Sequence, residues 1–204
     1  MPNLSRLKNL ESRLGRYLVV VDLEATCCSE NTIPVCEMET IEVGLLVLDQ
    51  HDSLRVVDEY SSFVRPIRHP RLTSFCMRLT TIQQADVDRA PSYPEVSSEV
   101  ECMLARYPDY SWASWGNYDR NQIAQDSRLH GVGQCLPESL HSNFKAFFSS
   151  VHGLGKQMGM KRAVQRCGLD WVGTHHRAIS DARNLAAVSH FVLGRKPLPD
   201  LSIS

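Results

Sequence analysis

A short apolar run that ends in two carboxylates constrains the fold of this chain more than any other feature. Residues 17–21 read YLVVV, and Asp22, Leu23 and Glu24 follow directly. Such a run is typical of a central strand buried on both faces of a sheet. Residues i and i+2 of a strand point to the same side, so we expect both carboxylates on one face. A divalent cation between them would relieve their repulsion, although a solvated strand end fits the motif as well.

The elements that follow predict a mixed α/β sheet flanked by helices. Two further strands are expected over 42–48 and 54–64, joined as a hairpin by the polar turn DQHDS. Prolines and basic residues then indicate a loop, and residues 141–151 fit a strand and a helix equally well. The other predicted elements are a strand over 110–115 and helices over 93–107, 117–129, 159–167 and 180–193. A hairpin followed by alternating helices and strands favours a mixed central sheet.

Charge and cysteine content narrow the class of protein. Twenty-two Lys and Arg against 23 Asp and Glu give a net charge of −1, which excludes binding of nucleic acid through bulk positive charge. Seven cysteines without a CxxC pair favour reduced thiols over a disulfide framework. No apolar run approaches the length of about 18 residues that a membrane span needs, and the first residues lack the apolar middle of a signal peptide. We therefore expect a cytoplasmic protein with no membrane partner.

Two further segments carry acidic or imidazole groups. Asp119 falls where a strand ends and a helix begins, and His176 precedes Asp181 at the start of the last predicted helix. Each has an ordinary explanation, because an acidic residue stabilises the first turn of any helix and loop histidines are common. Taken singly, none of these residues identifies a function.

Taken together, their order and spacing resemble the DEDDh 3′–5′ exonucleases of the ribonuclease H-like fold. The segments DLEATC, TIEVG and FVRPIRHPRLTSFCMRLTTIQQADVDRAPSYPEV are similar to a subgroup of that family. It comprises the histone-mRNA 3′-end exonucleases and RNA-interference-regulating exoribonucleases, together with the KapD-like proteins. The resemblance covers roughly residues 17–193. It implies an exonuclease domain over 17–194, with an N-terminal arm over 1–16 and a C-terminal tail over 195–204.

The resemblance also implies the catalytic residues and their reaction. The implied metal ligands are Asp22, Glu24, Asp119 and Asp181. They would hold two Mg²⁺ or Mn²⁺ ions, hard cations that prefer oxygen ligands. The family spacing assigns the general base to His176 rather than to His175, which becomes the natural control. The implied partner is a single-stranded 3′ end, RNA in preference to DNA, which is hydrolysed to nucleoside 5′-monophosphates.

Contacts to the terminal nucleotide follow from the same resemblance. The implied contact residues are Ala25, Thr26, Phe75, Leu79, Thr80, Tyr118 and Arg120. Tyr118 and Arg120 stand where the subgroup often has Trp and Met, and LTTI replaces the family's LTGI. A tyrosine still offers a stacking surface, whereas an arginine changes the character of the pocket. Phe75 fits a core position equally well.

Three other functions are also compatible with the sequence. A DNA-directed 3′–5′ exonuclease of the same fold would shorten DNA rather than RNA. A non-catalytic nucleic-acid-binding module would bind without shortening either strand. A metal phosphatase acting on mononucleotides would release free phosphate and leave chain length unchanged. Protein partners, oligomeric state and the physiological substrate are not specified by the sequence.

Overall fold

A single mixed sheet forms the centre of the computed structural model, which describes residues 13–30 and 32–199 together with Ser5, Lys8 and Leu10. Its five strands are Tyr17–Ala25 (β1), Thr40–Asp49 (β2), Arg55–Phe63 (β3), Tyr110–Ser114 (β4) and His141–Asn143 (β5). Their order is β3-β2-β1-β4-β5. β2 is antiparallel to both of its neighbours, β1 and β3, whereas β4 runs parallel to β1 and β5 parallel to β4. The predicted fold class is confirmed.

β1 lies in the middle of the sheet because its side chains are apolar on both faces. Leu18 and Val20 point into one core cluster, and Val19 and Val21 point into the other. The strand continues past its predicted end at residue 21 as far as Ala25, because main-chain pairing with β2 carries on across the two carboxylates. The acidic residues therefore belong to a rigid central element rather than to a loose strand end.

Helices cover both faces of the sheet. Those in the described ranges are Ser74–Thr80 (α1), Gln84–Asp88 (α2), Tyr93–Leu104 (α3), Tyr118–His130 (α4), Phe144–Val151 (α5), Met160–Arg166 (α6) and Ala178–Val192 (α7). The helices α5, α6 and α7 pack on one face, and α3 and α4 on the other. The helices α1 and α2 were not predicted. The ambiguous segment 141–151 contains both a strand, β5, and a helix, α5.

The two terminal segments are described only in part. Within the predicted arm 1–16, residues 1–4, 6, 7, 9, 11 and 12 lie outside the described residues, but Leu10 is fully buried in the core and Leu14 packs against the same cluster. Residues 200–204 of the predicted tail also lie outside the described part, and Arg166 donates a hydrogen bond to the Pro199 carbonyl at 2.9 Å. No described helix combines the length and apolar character needed to cross a membrane.

Candidate active site

Three carboxylates from two elements meet at the C-terminal part of β1. One oxygen each of Asp22, Glu24 and Asp181 lies within 4.8 Å of the others. Asp22 and Glu24 project from the same face of β1, as their spacing predicts, and Asp181 lies in the first turn of α7. Glu24 is 8% exposed and Asp181 6% exposed, whereas Asp22 is half-buried, so two of the three carboxylates are largely shielded from bulk water.

Asp119 joins this cluster from the first turn of α4. Its Oδ1 accepts a hydrogen bond at 3.0 Å from the backbone N–H of Leu23, the residue between the two β1 carboxylates. Asp119 is buried, and its charge is one of the causes that raise the pKa of Asp22. The residue therefore does more than stabilise the start of a helix, because it ties α4 to the acidic end of β1.

Burial disfavours the ionised form of all four carboxyls, and repulsion by neighbouring charges adds to this effect at Asp22, Glu24 and Asp181. Burial, followed by the neighbouring charges of Asp181 and Glu42, raises the pKa of Glu24 to about 9. Burial also raises the pKa of Asp181 to about 7 and that of Asp119 to about 6. The pKa of Asp22 is raised well above its usual value by burial and by Asp119. A bound divalent cation would reverse this balance, because it stabilises the ionised carboxylates.

The donor set fits hard divalent cations. Every member is a carboxylate, and carboxylate oxygens are the ligands that Mg²⁺ and Mn²⁺ prefer. The Oδ1 atom of Asp181 is buried and accepts no hydrogen bond from the described residues. Buried polar atoms normally have a partner, and a coordinated cation would supply one here. The residues present are therefore those expected of a magnesium or manganese site.

His176 lies beside the carboxylates, on the loop that enters α7. Its Nδ1 is 4.0 Å from Oε1 of Glu24, and its side chain is 38% exposed. The backbone adopts a φ of +61°, a left-handed conformation that costs energy in a non-glycine residue. Burial raises the pKa of Asp181, and the nearby backbone of His176 partly offsets this by lowering it. Burial lowers the pKa of His176 itself, so a neutral ring able to accept a proton faces the cluster.

His175 occupies a more peripheral position in the same loop. Its ring centroid lies 3.9 Å from that of His176 and 4.8 Å from that of Trp171, which it meets edge-on. Nitrogens of both histidines and an oxygen of Asp181 come within 4.8 Å of one another. Both imidazoles are thus near the site, and His176 is the one that contacts Glu24.

The start of α7 is held by two residues that were not predicted as site residues, Glu42 and Arg177. Glu42 of β2, directly opposite Glu24 of β1, is 1% exposed. Its carboxylate accepts hydrogen bonds from Arg177 and from the backbone N–H of Ala178. The segment TIEVG and the charge of Arg177 were visible in the sequence, but nothing local indicates that the two residues meet.

Gly44 was also not predicted to contribute to the site. It pairs with Asp22 in the sheet, and a Cβ at this position would lie 2.3 Å from the carbonyl carbon of Ala178. The absence of a side chain therefore lets β2 approach the backbone of α7 closely. A glycine inside a strand is a known sign of such an approach, and this signal was present in the sequence.

The structure separates the predicted nucleotide contacts into exposed and buried residues. Tyr118 is 44% exposed, Leu79 is 36% exposed and Phe75 is half-buried, so these three have surface to offer a base. Thr80 is fully buried, and its hydroxyl donates to the Cys76 carbonyl within α1. The Thr80 hydroxyl thus has its partner in the interior, and a contact of this residue with the nucleotide stays a prediction.

The other three predicted contact residues have partners within the protein. Ala25 is buried, and Thr26 is 1% exposed, with its Oγ1 accepting the Glu39 backbone N–H at 3.0 Å. Arg120 directs its guanidinium towards Asn121, at 3.1 Å, and towards Glu138, at 3.5 Å. A role for Arg120 in setting the character of the pocket stays a prediction.

The fold, with an acidic cluster at the end of its central strand, is that of an exonuclease domain. The chain belongs to the exonuclease family RNase_T, whose family model matches residues 19–189. It is 28% identical to the 3′-5′ exonuclease eri1 of Schizosaccharomyces pombe, over 85% of this chain and 66% of that protein. It is also 28% identical to the 3′-5′ exoribonuclease 1 of Homo sapiens, over 85% of this chain and 51% of that protein. The chain thus spans between about half and two thirds of the length of these relatives.

Solved structures share the fold over nearly the whole chain. The nuclease domain of 3′hExo, a DEDDh family member bound to rAMP, matches with a TM-score of 0.81 and 24% identity, covering 91% of this chain and 97% of that one. The 3′-exonuclease that recognises the 3′ end of the histone mRNA stem-loop matches with a TM-score of 0.81 and 25% identity, covering 89% and 83% of the two chains. These similarities support the ribonuclease H-like arrangement of strands and helices.

Proposed function

We propose that this chain is a metal-dependent 3′–5′ exonuclease that shortens single-stranded RNA from its 3′ end and releases nucleoside 5′-monophosphates. The observation that carries the proposal is the approach of oxygens of Asp22, Glu24 and Asp181 to within 4.8 Å of one another, with Asp119 and His176 beside them. The preference for RNA is supported by relatives named as exoribonucleases and by the rAMP bound to 3′hExo.

The four carboxylates are the residues that would hold two Mg²⁺ or Mn²⁺ ions. Bound there, the cations would supply Lewis-acid stabilisation of the charge that develops on the scissile phosphate. The protein contributes a rigid support for the ligands, because Asp22 and Glu24 belong to a central strand and Asp119 and Asp181 to the first turns of two helices.

His176 is the proposed general base. Its neutral ring accepts the proton of the attacking water while the new P–O bond forms. The bond from phosphorus to the 3′ oxygen of the preceding nucleotide breaks, and that oxygen leaves with a proton taken from solvent. The partial exposure of the His176 side chain allows both water and a phosphate to approach it.

Tyr118 is the proposed platform for the terminal base, with Phe75 and Leu79 as further apolar surface. Stacking on an aromatic ring accepts every base, because each base has a π face. This property suits an enzyme that removes nucleotides one after another regardless of sequence. Tyr118 is exposed at the first residue of α4, next to Asp119, and this supports a stacking role close to the carboxylates.

A time course with a 5′-labelled single-stranded RNA and its DNA counterpart tests the proposal. The reactions contain Mg²⁺, Mn²⁺ or EDTA, and wild type is compared with Asp22→Asn and with Asp88→Asn as a control acid on α2. We expect an RNA ladder that shrinks from the 3′ end, absent with EDTA and with Asp22→Asn. Efficient shortening of DNA alone would favour the DNA-directed enzyme. Binding without shortening of either strand would favour a non-catalytic module, and free phosphate from mononucleotides would favour a phosphatase.

A further inference from the structure

We propose that Glu42 and Arg177 form a positioning pair, which fixes the start of α7 so that His176 and Asp181 face the carboxylates of β1. The inference rests on the proposed function of the site. Neither residue is proposed to touch substrate or cation. The pair is inferred to act through the backbone that it holds.

The carboxylate of Glu42 is occupied by groups at the start of α7. Arg177 donates from Nη2 to Oε1 at 2.9 Å and from Nε to Oε1 and Oε2 at 3.2 and 3.1 Å. The backbone N–H of Ala178, the first residue of α7, donates to Oε2 at 3.0 Å. Arginine–carboxylate contacts of this kind fix orientation as well as contributing energy, and a carboxylate at a helix N-terminus is further stabilised by the helix dipole. Because Glu42 is 1% exposed, water hardly competes for these bonds.

Glu42 stands beside the acidic cluster without joining it. It faces Glu24 across the strand pair and is one of the causes that raise the pKa of that residue. A buried carboxylate so close to others requires a partner of opposite charge, and Arg177 supplies it. Because both of its oxygens accept hydrogen bonds from Arg177 and Ala178, Glu42 holds the start of α7 and is not proposed as a ligand of the cation.

Arg177 is connected through the main chain to both residues that α7 and its entering loop bring to the site. It follows His176, whose left-handed backbone persists only where the surrounding structure holds it. Its carbonyl accepts the backbone N–H of Asp181 at 2.9 Å, within the first turn of the helix. The guanidinium also lies 5.3 Å from the ring centroid of Phe63 on β3, which gives it a second contact on the sheet. Fixing Arg177 therefore fixes the backbone on both sides of it.

The same helix offers a matched control. Arg183 of α7 pairs with Glu59 of β3, so it too links the helix to the sheet through an arginine–carboxylate contact. The side chains of this second pair are 46% and 36% exposed, and the pair lies further along the helix than Asp181. Its loss should affect stability slightly and leave the site in place.

The test measures Mn²⁺ binding to the substrate-free protein, by the electron paramagnetic resonance signal of free Mn²⁺, beside kcat and KM on RNA. Residues that orient metal ligands typically change metal affinity or activity by about 10- to 100-fold when replaced. We expect Arg177→Ala to weaken Mn²⁺ binding about tenfold and to lower kcat about 10- to 100-fold, with KM unchanged. Arg177→Lys keeps the charge but not the planar fork, so it should recover part of both losses. Arg183→Ala should match wild type in both measurements.

Wild-type Mn²⁺ affinity and kcat in a folded Arg177→Ala would overturn the proposal, as would an effect on KM alone or an equal effect of Arg183→Ala. If Arg177→Ala does not fold, Arg177→Lys and Glu42→Gln decide the matter. Weaker Mn²⁺ binding in both supports the pair, and unchanged binding in either overturns it. If the wild-type protein binds Mn²⁺ but shortens no RNA, the proposed function is refuted and the positioning pair is not. The pair is then still tested by comparing Mn²⁺ binding between wild type and the Arg177 variants.

Discussion

Replacement of Gly44 by alanine tests whether the close approach of β2 to α7 determines the geometry of the site. A Cβ on Gly44 would lie 2.3 Å from both the carbonyl carbon of Ala178 and the backbone nitrogen of Ile179. It would lie 2.5 Å from the Ala178 carbonyl oxygen. These are main-chain atoms, so no side-chain rotation relieves the overlap. Because non-bonded carbon atoms prefer separations of about 3.5–4.0 Å, the strand and the helix must move apart by about 1 Å.

The displacement reaches Asp181, which lies in the first turn of the same helix. A misplacement of about 1 Å costs roughly 100-fold in rate, and an overpacked contact costs about 1–3 kcal/mol in stability. In a chain of this length, each kcal/mol lowers Tm by about 2–4 °C. We therefore expect Gly44→Ala to lose roughly 100-fold in kcat and several degrees in Tm.

The assay is the initial rate on 5′-labelled RNA, measured well below the Tm of the variant so that unfolding does not contribute. Gly133→Ala is the control, because a Cβ at Gly133 meets no atom within 4 Å. Its rate and Tm should match those of wild type. If Gly44→Ala instead retained the wild-type kcat, the reasoning that links this contact to the position of Asp181 would be refuted.

Four further outcomes follow from the site. His176→Ala should lower turnover about 10²- to 10⁴-fold while the protein still binds Mn²⁺. His175→Ala should keep most of the wild-type rate. Equal losses in the two variants would mean that His176 is wrongly assigned as the general base. In EDTA, urea titrations should give a free energy of unfolding that falls as pH rises from about 7 to 9, because pKa values of about 9 for Glu24 and about 7 for Asp181 make the folded protein bind more protons than the unfolded chain. The range begins at about 7 because burial lowers the pKa of His141, His152, His175, His176 and His190, which opposes this trend at lower pH. A rise in stability over that range would contradict the electrostatic account. Glu24→Gln replaces a carboxyl that must take up a proton on folding at pH 8, because its pKa in the folded protein is about 9, so it should raise the Tm of the metal-free protein while abolishing turnover. A lower Tm would argue against the burial and repulsion that raise this pKa. Tyr118→Ala should raise KM about 5- to 100-fold and Tyr118→Phe should not, whereas an unchanged KM in both would exclude stacking on this ring.

The sequence predicted the central strand and the shared face of its two carboxylates from local rules alone. The apolar run before Asp22 and the two-residue spacing to Glu24 were sufficient, because side-chain direction in a strand depends only on position along it. The same rules could not predict that Asp119 and Asp181 lie close to that face. Asp119 contacts Leu23 from 96 positions away, and only the resemblance to a known family joined these residues before the structure did.

Local patterns failed where long-range contacts decide the role of a residue. Glu42 resembles any acidic residue in a strand, and its partner Arg177 lies 135 positions further on. Thr80 matched a family motif, and its hydroxyl bonds the Cys76 carbonyl within the unpredicted helix α1, so its contact with a nucleotide stays a prediction. That helix was missed because the prolines before it, Pro66 and Pro70, indicated a loop.

Product analysis in water enriched in ¹⁸O tests the central claim most directly. Single-stranded RNA is incubated with wild-type protein and Mg²⁺, beside a reaction containing Asp22→Asn, and the released nucleotides are identified by mass spectrometry. The account predicts nucleoside 5′-monophosphates that carry one ¹⁸O atom on phosphorus, absent from the Asp22→Asn reaction. Nucleoside 3′-phosphates, or products formed equally by Asp22→Asn, would contradict it.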